Sequence, residues 1–193
     1  VGIVLTHGHE DHIGGLPFTL QKLNVPVYGT RLTLGLVKPK LKEHRILRES
    51  DLRELRVGDQ VRLGPFKVET VAVCHSIPDA VGLSIDTPAG RVVYTSDFKL
   101  DPDPPDGHPT DMDRFRKLGD EGVLLLLSDS TNAERAGRSG SERDLHAPFE
   151  RIFGEAPGRI VVANFASNIH RIQHLVRMAI QFDRRVAVVG RSL

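Results

Sequence analysis

Six consecutive residues, His7-Gly8-His9-Glu10-Asp11-His12, constrain this chain more than any other stretch. They set three imidazoles and the Asp11 carboxylate directly after the apolar run Val1 to Thr6, which reads as a short buried strand. Ile13-Gly14-Gly15-Leu16-Pro17-Phe18 follows, where glycine lets the backbone turn tightly before a helix. The cluster therefore lies on a loop at a strand's carboxyl end, a common place for chemistry in layered α/β folds. Neutral imidazole and carboxylate are good ligands for zinc and similar divalent ions, and burying such groups without partners is costly. The spacing lets His7 and His9 converge on one ion while Asp11 and His12 face a second. Two ions roughly 3.5–4 Å apart can share a hydroxide and clamp a scissile phosphate.

The rest of the first half supplies more strand ends. Ile13 to Leu23 predicts a helix, Val25 to Tyr28 a short strand, and Thr30 to about Val37 a second helix that Pro39 bends or ends. Gln60 to Leu63 and Phe66 to Val73 read as strands. Val81 to Thr87 and Arg91 to Thr95 flank Pro88-Ala89-Gly90, a hairpin signal. His75 follows one of these strands and Asp97 another. Strands of one polarity present their carboxyl ends on one edge of a sheet, so both residues come within reach of the first cluster. Asp101 to Asp113 reads as a surface loop with His108 exposed, and Asp111 to Leu118 as a short helix. Val123 to Leu127 is continuously apolar, which predicts a strand buried on both faces. Asp129 follows it, and fits an Asx turn as well as a site role.

Ala136-Gly137-Arg138-Ser139-Gly140-Ser141 is small and polar and marks the expected domain boundary, with one domain over 1–139 and a second over 140–193. Beyond it, Leu145, Phe149, Ile152 and Phe153 share a helix face, and Ile169, Ile172, Leu175, Val176 and Ala179 share another. Arg159 to Asn164 and Arg185 to Val189 read as strands, so this part is expected to be a parallel α/β unit. The second helix opens with Phe165-Ala166-Ser167-Asn168. Its free N–H groups, with Ser167, Asn168 and Arg171, suit a phosphate. An ordinary N-cap with a surface arginine accounts for the same residues. His170 and His174 are expected on an exposed helix face.

Composition narrows the class. Among 193 residues there is no tryptophan, and the formal net charge is +1. Overall charge thus gives no support to a nucleic-acid binder, although a metal site and a local basic stripe can supply a positive field. The residues Lys38, Lys40, Lys42, Arg45, Arg48, Arg53 and Arg56 are interleaved with acids and read as a solvated mixed surface. No apolar run is long enough to span a bilayer, and no targeting segment is visible. Cys74 is the single cysteine, which fits a reducing, cytoplasmic setting and a small buried side chain at a strand's end. Both ends of the chain look cut, as in a fragment of a longer protein.

Five stretches in order carry a resemblance: Thr6 to Gly15, His75-Ser76-Ile77-Pro78-Asp79, Thr95-Ser96-Asp97-Phe98-Lys99, Ser128 to Glu134, and Phe165 to Arg171. His-x-His-x-Asp-His resembles the signature of the metallo-β-lactamase superfamily, and the whole series resembles the ribonuclease J family of its β-CASP group. The fold so implied is an incomplete αββα sandwich followed by the start of a parallel α/β β-CASP domain. The resemblance implies that His7, His9 and His75 hold one ion, Asp11 and His12 another, and that Asp97 bridges them. The ions would be two Zn2+, with Mn2+ the alternative because His and Asp suit both. Asp11 and Asp129 are the catalytic candidates, Asp129 resembling an acid that orients a histidine near the leaving group.

The implied activity is hydrolysis of RNA, as 5′-to-3′ exonuclease or endonuclease, by in-line attack of a hydroxide shared by two metals. RNA is the expected partner, with no membrane, and the full-length protein is expected to be a homo-oligomer. The family's first strands, its later Ser-Gly-His segment and its last metal histidine have no counterpart here, so the isolated piece is expected to be poorly active. Alternatives are a superfamily hydrolase of a thioester or of DNA, or a catalytically silent RNA-binding scaffold.

Overall fold

The computed structural model describes residues 1–137 and 139–190. Among these residues eight strands lie in chain order: β1 (Ile3–Val4), β2 (Val27–Gly29), β3 (Leu52–Glu54), β4 (Gln60–Leu63), β5 (Phe66–Ala72), β6 (Val81–Thr87), β7 (Gly90–Tyr94) and β8 (Leu125–Leu127). The helices are α1 (Glu10–Ile13), α2 (Leu16–Lys22), α3 (Arg31–Glu43), α4 (Met112–Glu121), α5 (His146–Glu155) and α6 (Ile169–Gln181). Strands β1, β2 and β3 form one parallel sheet, and β4 to β8 form a second. In the second sheet β4 to β7 run as an antiparallel meander, while β8 joins β7 in parallel.

Three apolar clusters stack these elements into layers. Leu5, Ile13, Leu16, Leu20, Val27, Leu34, Val37 and Leu41 pack α1 to α3 on the first sheet. Tyr28, Leu55, Leu63, Val68, Val81 and Leu83 fill the space between the two sheets. Val71, Val93 and Leu118 join the far face of the second sheet to α4. Alternation along β5 explains why one strand serves two clusters, since Val68 and Val71 point to opposite faces. The result is helix, sheet, sheet, helix, the αββα sandwich.

Polarity then gathers the loops. β5 and β7 are each antiparallel to β6, and β8 is parallel to β7, so β5, β7 and β8 all end on one edge. The first sheet is stitched to that edge by Val81 N–H, which donates to the Thr6 carbonyl at 3.0 Å. The segments after β1, β5, β7 and β8 therefore emerge side by side. Gly14 permits the tight exit from the first loop: a Cβ there would sit 2.7 Å from the Glu10 carbonyl oxygen.

Several expectations are corrected. The run Leu52-Arg53-Glu54 is too short and charged to read as a strand, yet it forms β3, paired in parallel with β2. Pro39 does not end α3, which continues to Glu43. Buried Leu34, Val37 and Leu41 anchor the helix on both sides of the proline, and this packing offsets the bond to the Gly35 carbonyl that Pro39 cannot donate. The run Val123 to Leu127 is exposed rather than buried on both faces, because β8 is the sheet's edge and no described element covers it. The two strands expected at 159–164 and 185–189 do not form among the described residues. Both segments lack a neighbouring ladder, and an extended segment unpaired on both sides is not a strand. In this part α5 and α6 pack on each other through Phe153, Met178 and Ala179, with Phe149, Ile160, Leu175 and Phe182 around them. His170 is buried rather than exposed. Arg138, within the expected boundary stretch, and 191–193 lie outside the described residues.

Candidate metal centre

The loop after β1 turns into α1 so that His7 faces inward and Asp11 outward. His7 is fully buried, while the Asp11 side chain is largely exposed. The loop after β5 brings His75, and the loop after β7 brings Asp97. These residues meet in two overlapping groups, His7-His9-His75-Asp97 and Asp11-His12-Asp97, with one donor atom from each lying within 4.8 Å of the others. Asp97 lies at the centre: its Oδ2 is 4.0 Å from His7 Nε2 and 3.7 Å from His75 Nε2, and its Oδ1 is 3.5 Å from His12 Nε2. Asp11 Oδ2 lies 3.5 Å from His12 Nε2.

The electrostatics favour neutral, lone-pair-bearing imidazoles. Burial, then the charge of neighbouring imidazoles, lowers the His7 pKa to about 3. Burial and His9 lower that of His75 to about 4, against the opposing pull of Asp97 and Asp129. His7 Nε2 is buried with no hydrogen-bond partner, an arrangement that costs free energy unless something electrophilic takes its lone pair. His75 Nε2 and His9 Nδ1 face each other at 3.1 Å. Facing nitrogens, an orphaned buried acceptor and a central carboxylate make a donor set that fits divalent metal.

The outward nitrogens are held as well. His7 Nδ1 lies 3.2 Å from Thr6 Oγ1 and 3.3 Å from Ser96 Oγ, and Ser96 Oγ donates to Thr6 Oγ1 at 2.8 Å. Such partners fix the ring orientation of a metal ligand. Ser96 has φ +56°, a left-handed backbone uncommon for serine, at the turn that swings Asp97 into the cluster. In the sequence only their adjacency to His7 and Asp97 marks Thr6 and Ser96. Glu10 is tied to Lys40 of α3, which pins the loop from outside.

The remaining candidates lie beside the cluster. Asp129 Oδ1 accepts from Thr131 N–H at 2.9 Å and Thr131 Oγ1 at 2.6 Å, and its Oδ2 from Phe98 N–H at 3.5 Å. Burial would raise its pKa, but these hydrogen bonds hold it below the ordinary carboxylate value. A cavity of about 570 Å³ opens here, walled by Phe98, Leu100, Met112, Asp129 and Asn132. Ser167 touches His9 through its carbonyl oxygen, 3.1 Å from Nε2. Asn168 caps α6, accepting from Arg171 N–H at 3.0 Å. The Arg171 guanidinium forks onto Glu142 at 2.7 and 2.8 Å, so the helix opens with an N-cap and a paired arginine. Cys74 is buried and its thiol is pushed up to about 11 by that burial, which suits a packing role rather than a nucleophile.

Residues 1–138 match the beta-lactamase superfamily domain. The chain belongs to the beta-lactamase superfamily. Residues 157–193 of this superfamily member match the ribonuclease J beta-CASP domain. Ribonuclease J of Corynebacterium glutamicum is 48% identical over 192 residues, 99% of this chain and 26% of the relative. Ribonuclease J of Thermus thermophilus is 47% identical over 197 residues, 98% of this chain and 34% of the relative. The chain thus spans about a quarter to a third of the length of these relatives. Among solved structures, a protein of unknown function from Enterococcus faecalis superposes with a TM-score of 0.65 at 22% identity, over 91% of this chain and 44% of that one. That likeness supports the superfamily fold. No described helix is long and apolar enough to cross a membrane.

Proposed function

We propose that this chain is the metal-binding part of a metal-dependent ribonuclease that hydrolyses RNA phosphodiester bonds. One observation carries the reading: side chains from three separate strand ends converge as two donor groups that share Asp97. The ribonuclease J relatives supply the choice of RNA over a thioester or DNA. In this reading His7, His9, His75 and Asp97 hold one divalent ion, and Asp11, His12 and Asp97 hold the second, with Zn2+ the first choice and Mn2+ the alternative. Bound divalent ions supply hydroxide at neutral pH and Lewis-acid stabilisation of charge on the phosphoryl oxygens.

The chain's own groups do the rest. Neutral His7 and His75 present lone pairs at pH 7, and the Thr6–Ser96 hydroxyls keep the His7 ring from rotating. Asp129 anchors the backbone at Phe98, next to Asp97, and so fixes the central carboxylate. The cavity beside Phe98 and Asp129 is of a size that suits a nucleoside. Asp11, the most exposed donor, faces the side from which substrate approaches. Ser167, Asn168 and Arg171, at the start of α6, are the candidates for contact with the RNA backbone. We assign 1–139 to the metallo-β-lactamase-like domain and 140–193 to the β-CASP domain, in a cytoplasmic protein that forms homo-oligomers at full length.

The test is hydrolysis of a 5′-monophosphorylated RNA by the full-length protein, before and after chelation. Activity should disappear with chelator, return with Zn2+ or Mn2+, and leave products bearing 5′-phosphates. RNA cleavage that persists after chelation, or turnover of thioesters with none of RNA, would sink the reading.

A further inference from the structure

The His9 nitrogen that faces away from the donor group is not left to solvent. Its Nε2 lies 3.1 Å from the backbone carbonyl of Ser167, 158 residues further along the chain. A carbonyl oxygen only accepts, so this partner assigns the ring proton to Nε2 and leaves Nδ1 bare. That bare Nδ1 is the atom 3.1 Å from His75 Nε2. The tautomer of a candidate ligand in the first loop thus answers to the turn that leads into α6.

A second tether runs parallel to the first. The His170 N–H donates to the Ser76 carbonyl at 3.4 Å, next to His75. The first turn of α6 therefore touches both loops that carry the histidines of the larger donor group. What seats this turn is separate from the donors. The buried His170 ring places Nε2 3.4 Å from Asp106 Oδ2, and Glu142 takes the Arg171 fork.

We propose that the turn leading into α6 acts on the metal centre as a positioning element, through the Ser167 carbonyl on His9, so that ion binding and the seating of α6 are reciprocally coupled. The inference rests on reading the cluster as a metal centre. A ligand histidine that donates its other N–H is held in one tautomer and one orientation, and is a better base for the ion. Unseating α6 frees the His9 ring to rotate and to move its proton to Nδ1, where no ion can bind. Linkage then requires the converse: an ion on Nδ1 holds the proton on Nε2, strengthens its bond to Ser167 and seats the helix.

The experiment uses the full-length protein and the variant Asp106→Asn/Glu142→Gln, which loosens the seating of α6 without touching a donor. Zn2+ affinity is measured by competition with a chromophoric chelator, and amide exchange of residues 168–172 is followed with and without Zn2+. The double variant should bind Zn2+ roughly 10–100-fold more weakly. In the wild-type protein, Zn2+ should slow exchange across the first turn of α6. Unchanged affinity in a folded variant, or wild-type exchange indifferent to Zn2+, would overturn the inference. The wild-type exchange measurement decides alone if the variant does not fold. A protein that cleaves RNA in a Zn2+-dependent way yet shows neither effect keeps its proposed function and loses this coupling. A wild-type protein that takes up no ion loses both.

Discussion

The parts of the chain before Gly137 and after Ser139 are built from similar apolar runs, and they come out differently. In the first part the strands from β1 to β8 each find a neighbour, often far away in sequence. In the second part the runs at 159–164 and 185–189 carry as many β-branched residues, but neither pairs among the described residues. Val161 and Val189 stand 87% and 89% exposed. Among the described residues there, α5 and α6 hold through their contact with each other and through side chains and loops rather than through a strand ladder. A helix satisfies its backbone within itself, whereas a strand needs a partner from elsewhere. The donor side chains all sit in the part where non-local pairing has fixed the strand ends, and the second part reaches them through one helix turn.

The sharpest way to break this contrast is to remove a donor. His9→Ala and Asp97→Ala should each lower RNA hydrolysis by roughly a thousandfold or more, beyond the 10–100-fold typical of losing only a ligand's hydrogen-bond partner. The circular-dichroism spectrum and the melting transition of the metal-free protein should stay close to wild type, because the loop is held by its flanking strands. Retained turnover in a metal-loaded His9→Ala protein would place the chemistry elsewhere.

The next effect is on stability. Leu41 is fully buried in the cluster beneath α3, so Leu41→Ala should cost about 2–5 kcal/mol in urea unfolding. The loss should appear in the transition that also reports the metal loops, since α3 braces the first of them through Lys40 and Glu10. A cost under about 1 kcal/mol would mean that the site collapses around the deletion.

Acidification discriminates more finely. His7 and His75 have folded pKa values near 3 and 4 against an ordinary 6.5. A depressed imidazole binds protons less readily than it does in the unfolded chain. The metal-free protein should therefore be most stable above pH 6.5 and lose stability as pH falls from there towards 4. The slope should be up to about 1.4 kcal/mol per pH unit for each imidazole. Melting temperatures in chelator across that range check it. A melting temperature that rose on acidification would contradict the neutral histidines.

The distribution of what was legible follows the same division. His7, His9, Asp11 and His12 could be read from six residues because the information is local. His75 and Asp97 needed strand polarity and the resemblance of the stretches around them, and the antiparallel meander with β8 added in parallel is what brings their strand ends together. Thr6 and Ser96 escaped because hydroxyls beside charged residues are ordinary. The Ser167 carbonyl escaped because a backbone atom leaves no mark in a sequence. With no third ligand evident beside His170 and His174, His170 reads as an exposed helix histidine, yet it is buried with Asp106, from a distant loop, 3.4 Å away. The runs at 159–164 and 185–189 had the composition of strands without the neighbour that makes one, which composition does not report.

The run at 185–189, unpartnered among the described residues, carries the smallest expected effect. Val188 is 61% exposed and lies in an extended run without a described partner. Its removal from water contributes little, and a surface substitution away from special features usually falls within about 0.5 kcal/mol. Val188→Ser in the 193-residue chain should therefore leave urea unfolding almost unchanged, while the same replacement at buried Val71, between β5 and α4, should not. Equal costs at the two positions would mean that the run around Val188 is as well partnered as β5. The difference between the two parts of the chain would then lie in their helices rather than in which extended runs find a neighbour.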